Sequence, residues 1–425
     1  MTSVTFRAPW TIPFGEFHLH FDALSAAFLI PIVFLSTLCA VYGVLGVLFA
    51  LAQHDLKRLL AYHSVENIGI IALGMGAGLL GMSYSSPVAA VLGFAGSLLH
   101  VFNHAVFKGL LFLCAGSVQH AAGTRDIEKL GGLLKTMPST GLSFLTGSAA
   151  ITGLPPLNGF ISEWLIYAAL FKLTLMGGAA GGVAILSIVS LALIGTLALA
   201  CFTKAFGVVF LGEPRVAIPT DSHVISGWML WPMAMLSLLC LAIGAVPMAA
   251  FQFELSAAMQ VAGAPVLSGE IDSVMSALSG LTAGIWTLIG LGMIVWILRA
   301  ALAAARGGAA AAPDRTVTWD CGYAHPTPRM QYTASSFVQP LTSLFQMILR
   351  PKVHQRPPVG YFAPGASFES HTPDLAADRI FGPLFTWVTR LSTRVLWIQQ
   401  GRIQAYLLYL FAALTALLAW HLSRV

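Results

Sequence analysis

The stretch Gly153-Leu154-Pro155-Pro156-Leu157-Asn158-Gly159-Phe160-Ile161-Ser162-Glu163 lies in the middle of an apolar run from Thr140 to Leu173. The run is too long for one straight crossing, because about 20 apolar residues in a helix span the hydrocarbon core. Proline removes a backbone donor and breaks a helix, so Pro155, Pro156 and Gly159 mark an interruption at membrane depth. Read as two crossings, the run reverses the side of every later loop; read as one discontinuous crossing, it keeps those loops in register. Irregular backbone inside a bilayer is tolerated only where protein or a water-filled cavity satisfies the freed groups, and such breaks recur at transport sites. We therefore expect a single broken span.

Working outward, the 425 residues are 57% hydrophobic and only 9% charged, whereas a soluble domain carries about 25% charged residues. Too few polar side chains exist to coat soluble domains, so lipid must cover the surface. The expected fold class is all-α: a polytopic helical membrane protein with roughly eight transmembrane helices. The runs are Ala23 to Ala52, Leu59 to Leu80, Val88 to Val118, the broken Thr140 to Leu173, Gly182 to Leu211, Ile225 to Phe251, Val274 to Ala303 and Ala405 to Leu422. The net charge of +5 is scattered between these runs rather than gathered on a face, which argues against nucleic acid as a partner.

Lys57 and Arg58, then Arg125, Lys129 and Lys135, then Arg215, then Arg299 and Arg306 follow alternate runs. If each run crosses once, all fall on one side, which the positive-inside rule makes the cytoplasm; Glu254, Glu270 and Asp272 then belong to an outer loop. Four parts follow: 1–22 as an extracytoplasmic amino-terminal segment, 23–303 as a transmembrane translocation domain, 304–402 as a polar and amphipathic cytoplasmic-side segment, and 403–425 as a final transmembrane helix. Within the third, Ser336 to Leu349 and Ile380 to Trp397 mix apolar and basic residues as interfacial helices do. Pro9, Pro13, Glu16 and two histidines in the first twenty residues argue against a cleavable signal peptide. Cys39, Cys114, Cys201, Cys240 and Cys321 have no CxxC spacing, and Cys321, His325, His354 and His371 lack zinc-like spacing. No metal site, phosphate loop, dinucleotide motif or nucleophile elbow is expected in this chain.

An ionisable residue in a transmembrane segment costs at least ~2.5 to 3.5 kcal/mol on insertion scales, so each is a functional candidate. His100, His104 and Lys108 recur at spacings of four and form a stripe down one helix face. Histidine titrates near physiological pH, so the stripe can carry protons; equally, the histidines can be structural hydrogen-bonders and Lys108 can snorkel to the interface. Glu163 follows the break by one turn, where a helix amino terminus favours a carboxylate. It reads as a proton donor or acceptor, or as a static cap of the broken helix. Glu66, in Tyr62-His63-Ser64-Val65-Glu66-Asn67, is a candidate proton inlet or ion-pair partner; Lys204 belongs with it, with snorkelling as its plainer reading.

Three motifs carry a resemblance: Gln53 to Gly69 (QHDLKRLLAYHSVENIG), His100 to Lys108 (HVFNHAVFK) and Gly153 to Glu163 (GLPPLNGFISE). Together they resemble the antiporter-like proton-translocating membrane subunits of the complex I and hydrogenase family. The tail Trp319-Asp320-Cys321-Gly322-Tyr323, Pro326 to Ser336 and Phe202 to Arg215 narrow the resemblance to the version found in hydrogenase 4 and formate hydrogenlyase, the component B type. It covers nearly the whole chain from Ala50 onward. It implies a lysine, histidine and glutamate chain carrying protons, driven by a distant redox module, with His100, His104 and Lys108 as the central relay and Glu163 on the broken helix.

The resemblance further implies other membrane subunits and a peripheral hydrogenase or quinone-reductase module as partners. Redox cofactors are expected in those partner subunits and none in this chain, in a bacterial inner membrane. A carboxy-terminal part clamping neighbouring subunits is also implied. One departure stands out: family members carry an earlier broken helix with a lysine and a preceding helix with its glutamate partner. Here Leu19 to Tyr42 resembles an early family helix and runs directly through Gly43 toward Gln53, as though an internal block of helices were lacking. The inner half of the relay is then expected either on another polypeptide or lost in a truncated form. Alternatives to a redox-coupled subunit are a cation/proton antiporter component and a structural subunit without pumping activity.

Overall fold

The computed structural model describes residues 4–8, 17–21, 42–215, 226–263, 268–305, 327–358, 360, 365–373, 377–396 and 401–423. Residues 23–41 of the first apolar run, Asp22, Cys39, Arg306, the 319–323 tail with Cys321, and His325 lie outside them. The chain forms two compact units, Met1–His371 and Thr372–Val425.

In the first unit, strands β1 (Val4–Ala8) and β2 (Phe17–Phe21) pair antiparallel. Helices α1 (Tyr42–Leu51), α2 (Leu56–Ser83), α3 (Pro87–Ala122), α4 (Pro138–Ile151), α5 (Asn158–Thr174) and α6 (Gly178–Phe210) follow. Then come α7 (Gly227–Ala245), α8 (Pro247–Ala262), α9 (Ser268–Ala305), α10 (Ala334–Leu344) and the single turn α11 (Gln346–Leu349). Strands β3 (Lys352–Arg356) and β4 (Ser367–His371) close the unit as an antiparallel pair. The second unit holds α12 (Gly382–Val395) and α13 (Ile403–Leu422), neither with a buried residue. Among the described residues, α2, α3, α6, α7, α9 and α13 are long and apolar enough to cross a membrane. The chain is a multi-pass helical membrane protein, and the run through Pro155 is two half-length helices.

Helix α3 is central, packing against α2, α4, α5, α7 and α8. Between α2 and α3 the backbones touch: a Cβ on Gly93 would stand 2.5 Å from the Gly78 nitrogen and 2.9 Å from the Gly74 oxygen. Lipid tails are as apolar as leucine, so membrane helices gain by close packing through small residues rather than by hiding apolar surface. The outward faces of α6 and α9 accordingly keep large apolar side chains exposed, among them Leu186, Val189, Leu288 and Trp296.

The loops after α1, α3 and α6 meet at one face. Leu56 N donates to Arg125 O (2.9 Å), Ile127 N to His54 O (2.8 Å) and Gly132 N to Leu211 O (2.9 Å). Arg125 pairs with Asp55 at 2.5 Å and Lys135 with Glu213 at 2.6 Å, while Arg215 donates to Leu130 O and Tyr332 O, both at 2.6 Å. Lys57, Arg58, the Arg125 to Lys135 loop and Arg215 therefore share a side, as a single broken span requires. Glu128 sits over the start of α10, accepting from Ala334 N (3.2 Å), Ser335 N (2.8 Å) and Ser335 Oγ (2.5 Å). Burial alone would raise its pKa, but the neighbouring His54 and the Ser335 hydrogen bonds outweigh that and hold it at about 2.

Two expectations need correction. The run Ile225 to Phe251 is two helices, because Pro247 has no N–H to continue α7 past Val246 and starts α8 instead. Glu254 lies within α8, and Glu270 and Asp272 within α9, rather than in a loop. The all-α expectation holds: among the described residues the only strands are two five-residue hairpin pairs, β1 with β2 and β3 with β4.

Two outcomes follow from this packing. Gly93→Ala should lower the thermal midpoint in detergent by an amount corresponding to about 1–3 kcal/mol, whereas Gly116→Ala, where a Cβ meets nothing, should not; equal midpoints would show that α2 and α3 are not in backbone contact. A carboxylate held below its usual 4.5 stabilises the fold above that value and loses the contribution as pH falls from 4.5 toward about 2. The protection of the Ala334 and Ser335 amides against hydrogen exchange, measured relative to the intrinsic rate at each pH, should therefore fall over that window, and already be low at neutral pH in Glu128→Gln.

Candidate functional site

The polar side chains of α2, α3 and α5 converge where these helices cross. His63, Asn67, His100, Asn103, Asn158 and Ser162 are all wholly buried, and leaving any of them unpaired in that position would cost about 1–3 kcal/mol. Asn103 Nδ2 donates to Asn158 O (2.8 Å) and Ser162 Oγ (3.0 Å), and Asn158 Nδ2 returns a bond to Asn103 Oδ1 (3.2 Å). This pairing ties the first turn of α5 to the middle of α3. Gly159 lets that turn reach the end of α4, since a Cβ there would overlap Ala150 O, and Gly244 on α7 abuts Pro156 in the same way.

His100 is held from both sides, with Nε2 3.1 Å from Asn67 Oδ1 and Nδ1 2.9 Å from Ser162 Oγ. Asn67 Nδ2 donates to His63 O at 2.7 Å, which fixes the amide so that its oxygen faces His100. His100 Nε2 must therefore carry a proton. Ser162 can then serve either charge state of the ring. Facing neutral His100, its hydroxyl donates to Nδ1; facing protonated His100, it accepts from Nδ1 and turns its hydrogen to Gly159 O, 3.0 Å away. A histidine so placed can gain and lose a proton without orphaning a neighbour.

Glu66 is 1% exposed and bonded to His63 Nδ1, whose ring lies against Phe202 at 4.5 Å. Lys108 is 5% exposed and donates to Leu60 O at 2.6 Å, turned into the protein rather than snorkelling. Lys204 is likewise wholly buried, donating to Leu51 O (2.6 Å) and Gln53 O (3.0 Å). His104 is half-buried with its ring edge-on to Phe107, and its Nε2 has no hydrogen-bond partner among the described residues. The expected stripe therefore makes no bonds along itself. Its members reach sideways, His100 to α2 and α5 and Lys108 to α2.

Glu163 stands apart from the stripe. It is half-buried, its carboxylate lies over Gly153, and it faces a cavity of about 300 Å³ shared with Trp164, Tyr167 and Thr196. Among the described residues it makes no ion pair. Glu66 is the group whose charge reaches both Lys108 and Glu163, which places it electrostatically between stripe and break. Sequence reasoning assigned no role to His63, Asn67, Asn103, Asn158 or Ser162. For His63 a signal existed, three residues before Glu66 on a helix and hence on the same face. The asparagines and the serine carry no charge whose burial would flag them.

Asn103→Leu should strand Asn158 and Ser162 and lower the thermal midpoint by the equivalent of about 1–3 kcal/mol, read by tryptophan fluorescence in detergent. An unchanged midpoint would mean that the asparagine pair does not hold the break.

Comparisons with known proteins agree with this architecture. Residues 16–190 match the family described as NADH:quinone oxidoreductase/Mrp antiporter, TM. Hydrogenase-4 component B of Escherichia coli (strain K12) is 34% identical over 392 residues, covering 89% of this chain and 57% of that protein. Formate hydrogenlyase subunit 3 of the same organism is 38% identical over 306 residues, covering 72% of this chain and 48% of that protein. The chain thus spans about half the length of the curated relatives it matches. A chain from the membrane-bound sulfane sulfur reductase, an archaeal respiratory membrane complex, superimposes with a TM-score of 0.54 at 23% identity, over 92% of this chain and 56% of that one, which is a likeness of fold.

Proposed function

We propose that the chain, whose residues 16–190 match the family described as NADH:quinone oxidoreductase/Mrp antiporter, TM, is a proton-translocating membrane subunit of a hydrogenase or NADH:quinone oxidoreductase-like complex. The observation that carries this reading is the set of buried ionisable groups, His63, Glu66, His100 and Lys108, gathered on α2 and α3 in a lipid-facing bundle. Such groups are expensive in a membrane and face the protein interior where they mark ion pathways.

In this reading Lys108 exchanges a proton with Glu66, and His100 accepts and releases one at Nδ1 as Ser162 turns. Glu163, over its cavity at the break, is the outlet group. The partners are other membrane subunits and a peripheral hydrogenase or quinone-reductase module, whose redox cofactors drive the cycle; this chain contributes none. The place is a bacterial inner membrane, with the loop face toward the cytoplasm.

In membranes carrying the chain with its native partners, Lys108→Ala and Glu163→Gln should each cut proton uptake at least tenfold while the complex still assembles. Unchanged uptake in both would remove the relay assignment. The family's description also names an antiporter, and uptake that requires sodium would favour that second reading.

A further inference from the structure

At the loop face of the first unit lies a cavity of about 820 Å³, lined by His54, Arg125, Glu128, Ser335, Glu369 and His371 among others. His54 follows directly on Gln53, whose carbonyl accepts from Lys204 Nζ at 3.0 Å. Lys204 therefore sits beneath the cavity floor, wholly buried, on a helix that also contributes Cys201 one turn earlier and Phe202 two residues earlier. Phe202 lies against the His63 ring, and His63 Nδ1 bonds Glu66 while its Nε2 has no hydrogen-bond partner among the described residues. The charged neighbours of Lys204 include Glu128, and those of His63 include Lys108 and Lys204.

We propose that this cavity is the proton inlet of the relay and that Lys204 and His63 hand the proton from it to Glu66. The inference rests on the proton-translocating reading above. The step needs no partner beyond water. The Lys204 amine takes a proton from water in the cavity on its lone pair and passes it toward His63 Nε2; the imidazole then releases its Nδ1 proton to the Glu66 carboxylate. The acceptors of Lys204 suit this role. A neutral amine keeps two N–H donors, enough for the Leu51 and Gln53 carbonyls, so it can lose its third proton without leaving either carbonyl unpaired. The competing account is that Lys204 is a fixed cap on the end of α1.

Arginine separates the two, because a guanidinium can donate to both carbonyls but does not give up its proton. The test measures proton flux with a pH dye after an imposed pH step, in membrane vesicles holding the full chain and its native partners. Lys204→Arg and His63→Phe are expected to assemble and to reduce flux at least tenfold. A membrane-impermeant sulfonated methanethiosulfonate, applied from each side in turn to Ser370→Cys at the cavity wall, is expected to slow flux severalfold relative to the same vesicles before treatment, and not to slow treated wild type. Flux within twofold of wild type in Lys204→Arg, with Lys108→Ala blocked, overturns the inlet and leaves the relay standing. Normal flux in Lys108→Ala overturns the relay itself. Should Lys204→Arg fail to assemble, the thiol decides: flux unchanged by modification at residue 370 overturns the inlet.

Discussion

A polar group buried in a lipid-facing bundle has no water to turn to, and the crossing of α2, α3 and α5 is arranged around that constraint. His100 can lie wholly buried because Asn67 and Ser162 face its two nitrogens. Those partners are in place because the backbones of α2 and α3 touch at Gly78 and Gly93 and because Asn103 and Asn158 pin the restart of the helix at α5. The interruption at Pro155 and Pro156 is thus supported from three sides: by α3, by the end of α4 and by Gly244 of α7. Packing and polarity are one problem here, since a larger residue at any of these glycines would open the gap that the hydrogen bonds must bridge.

The two buried lysines solve the same problem without a carboxylate in direct contact among the described residues. Lys108 is held by Leu60 O and Lys204 by Leu51 O and Gln53 O, all carbonyls close to the junction of α1 and α2. A carboxylate at bonding distance would fix each lysine in its charged state. Carbonyl dipoles orient the amine while tolerating its neutral form, a looser grip that suits a group meant to change charge. Glu66 acts on Lys108 through the field rather than through contact, and its direct partner is His63.

Much of this was legible in the residues themselves. The Pro-Pro pair announced the broken span, six helices of membrane length stand among the described residues where apolar runs were read, and the basic loops after α1, α3 and α6 fell on a common face. The rare ionisable residues drew attention to the right helices because charge in lipid is costly. What escaped has physical reasons. Periodicity places His100, His104 and Lys108 on one face but says nothing of what stands opposite, and the answer is α2 and α5 rather than one another. Lys204 read as a snorkelling residue because its distance from the helix end is a sequence quantity, whereas the carbonyls that draw it inward belong to residues more than a hundred and fifty positions away. The asparagines and Ser162 are common residues in any helix, and only three-dimensional pairing gives them a role. Pro247 divides α7 from α8 inside a run whose apolar composition reads as one crossing, because composition hides a turn that proline makes.

The grip of Glu128 on Ser335 joins residues 207 apart in the chain. During synthesis, every helix from α3 to α9 emerges before that carboxylate meets its partners. Until then the loop-face chamber lacks a wall, since Thr333, Ser335 and the β4 strand have yet to arrive. The chamber that opens to water on that side is therefore completed only after the helices beneath it have been made, so the order of manufacture itself determines when the buried charges acquire their walled approach.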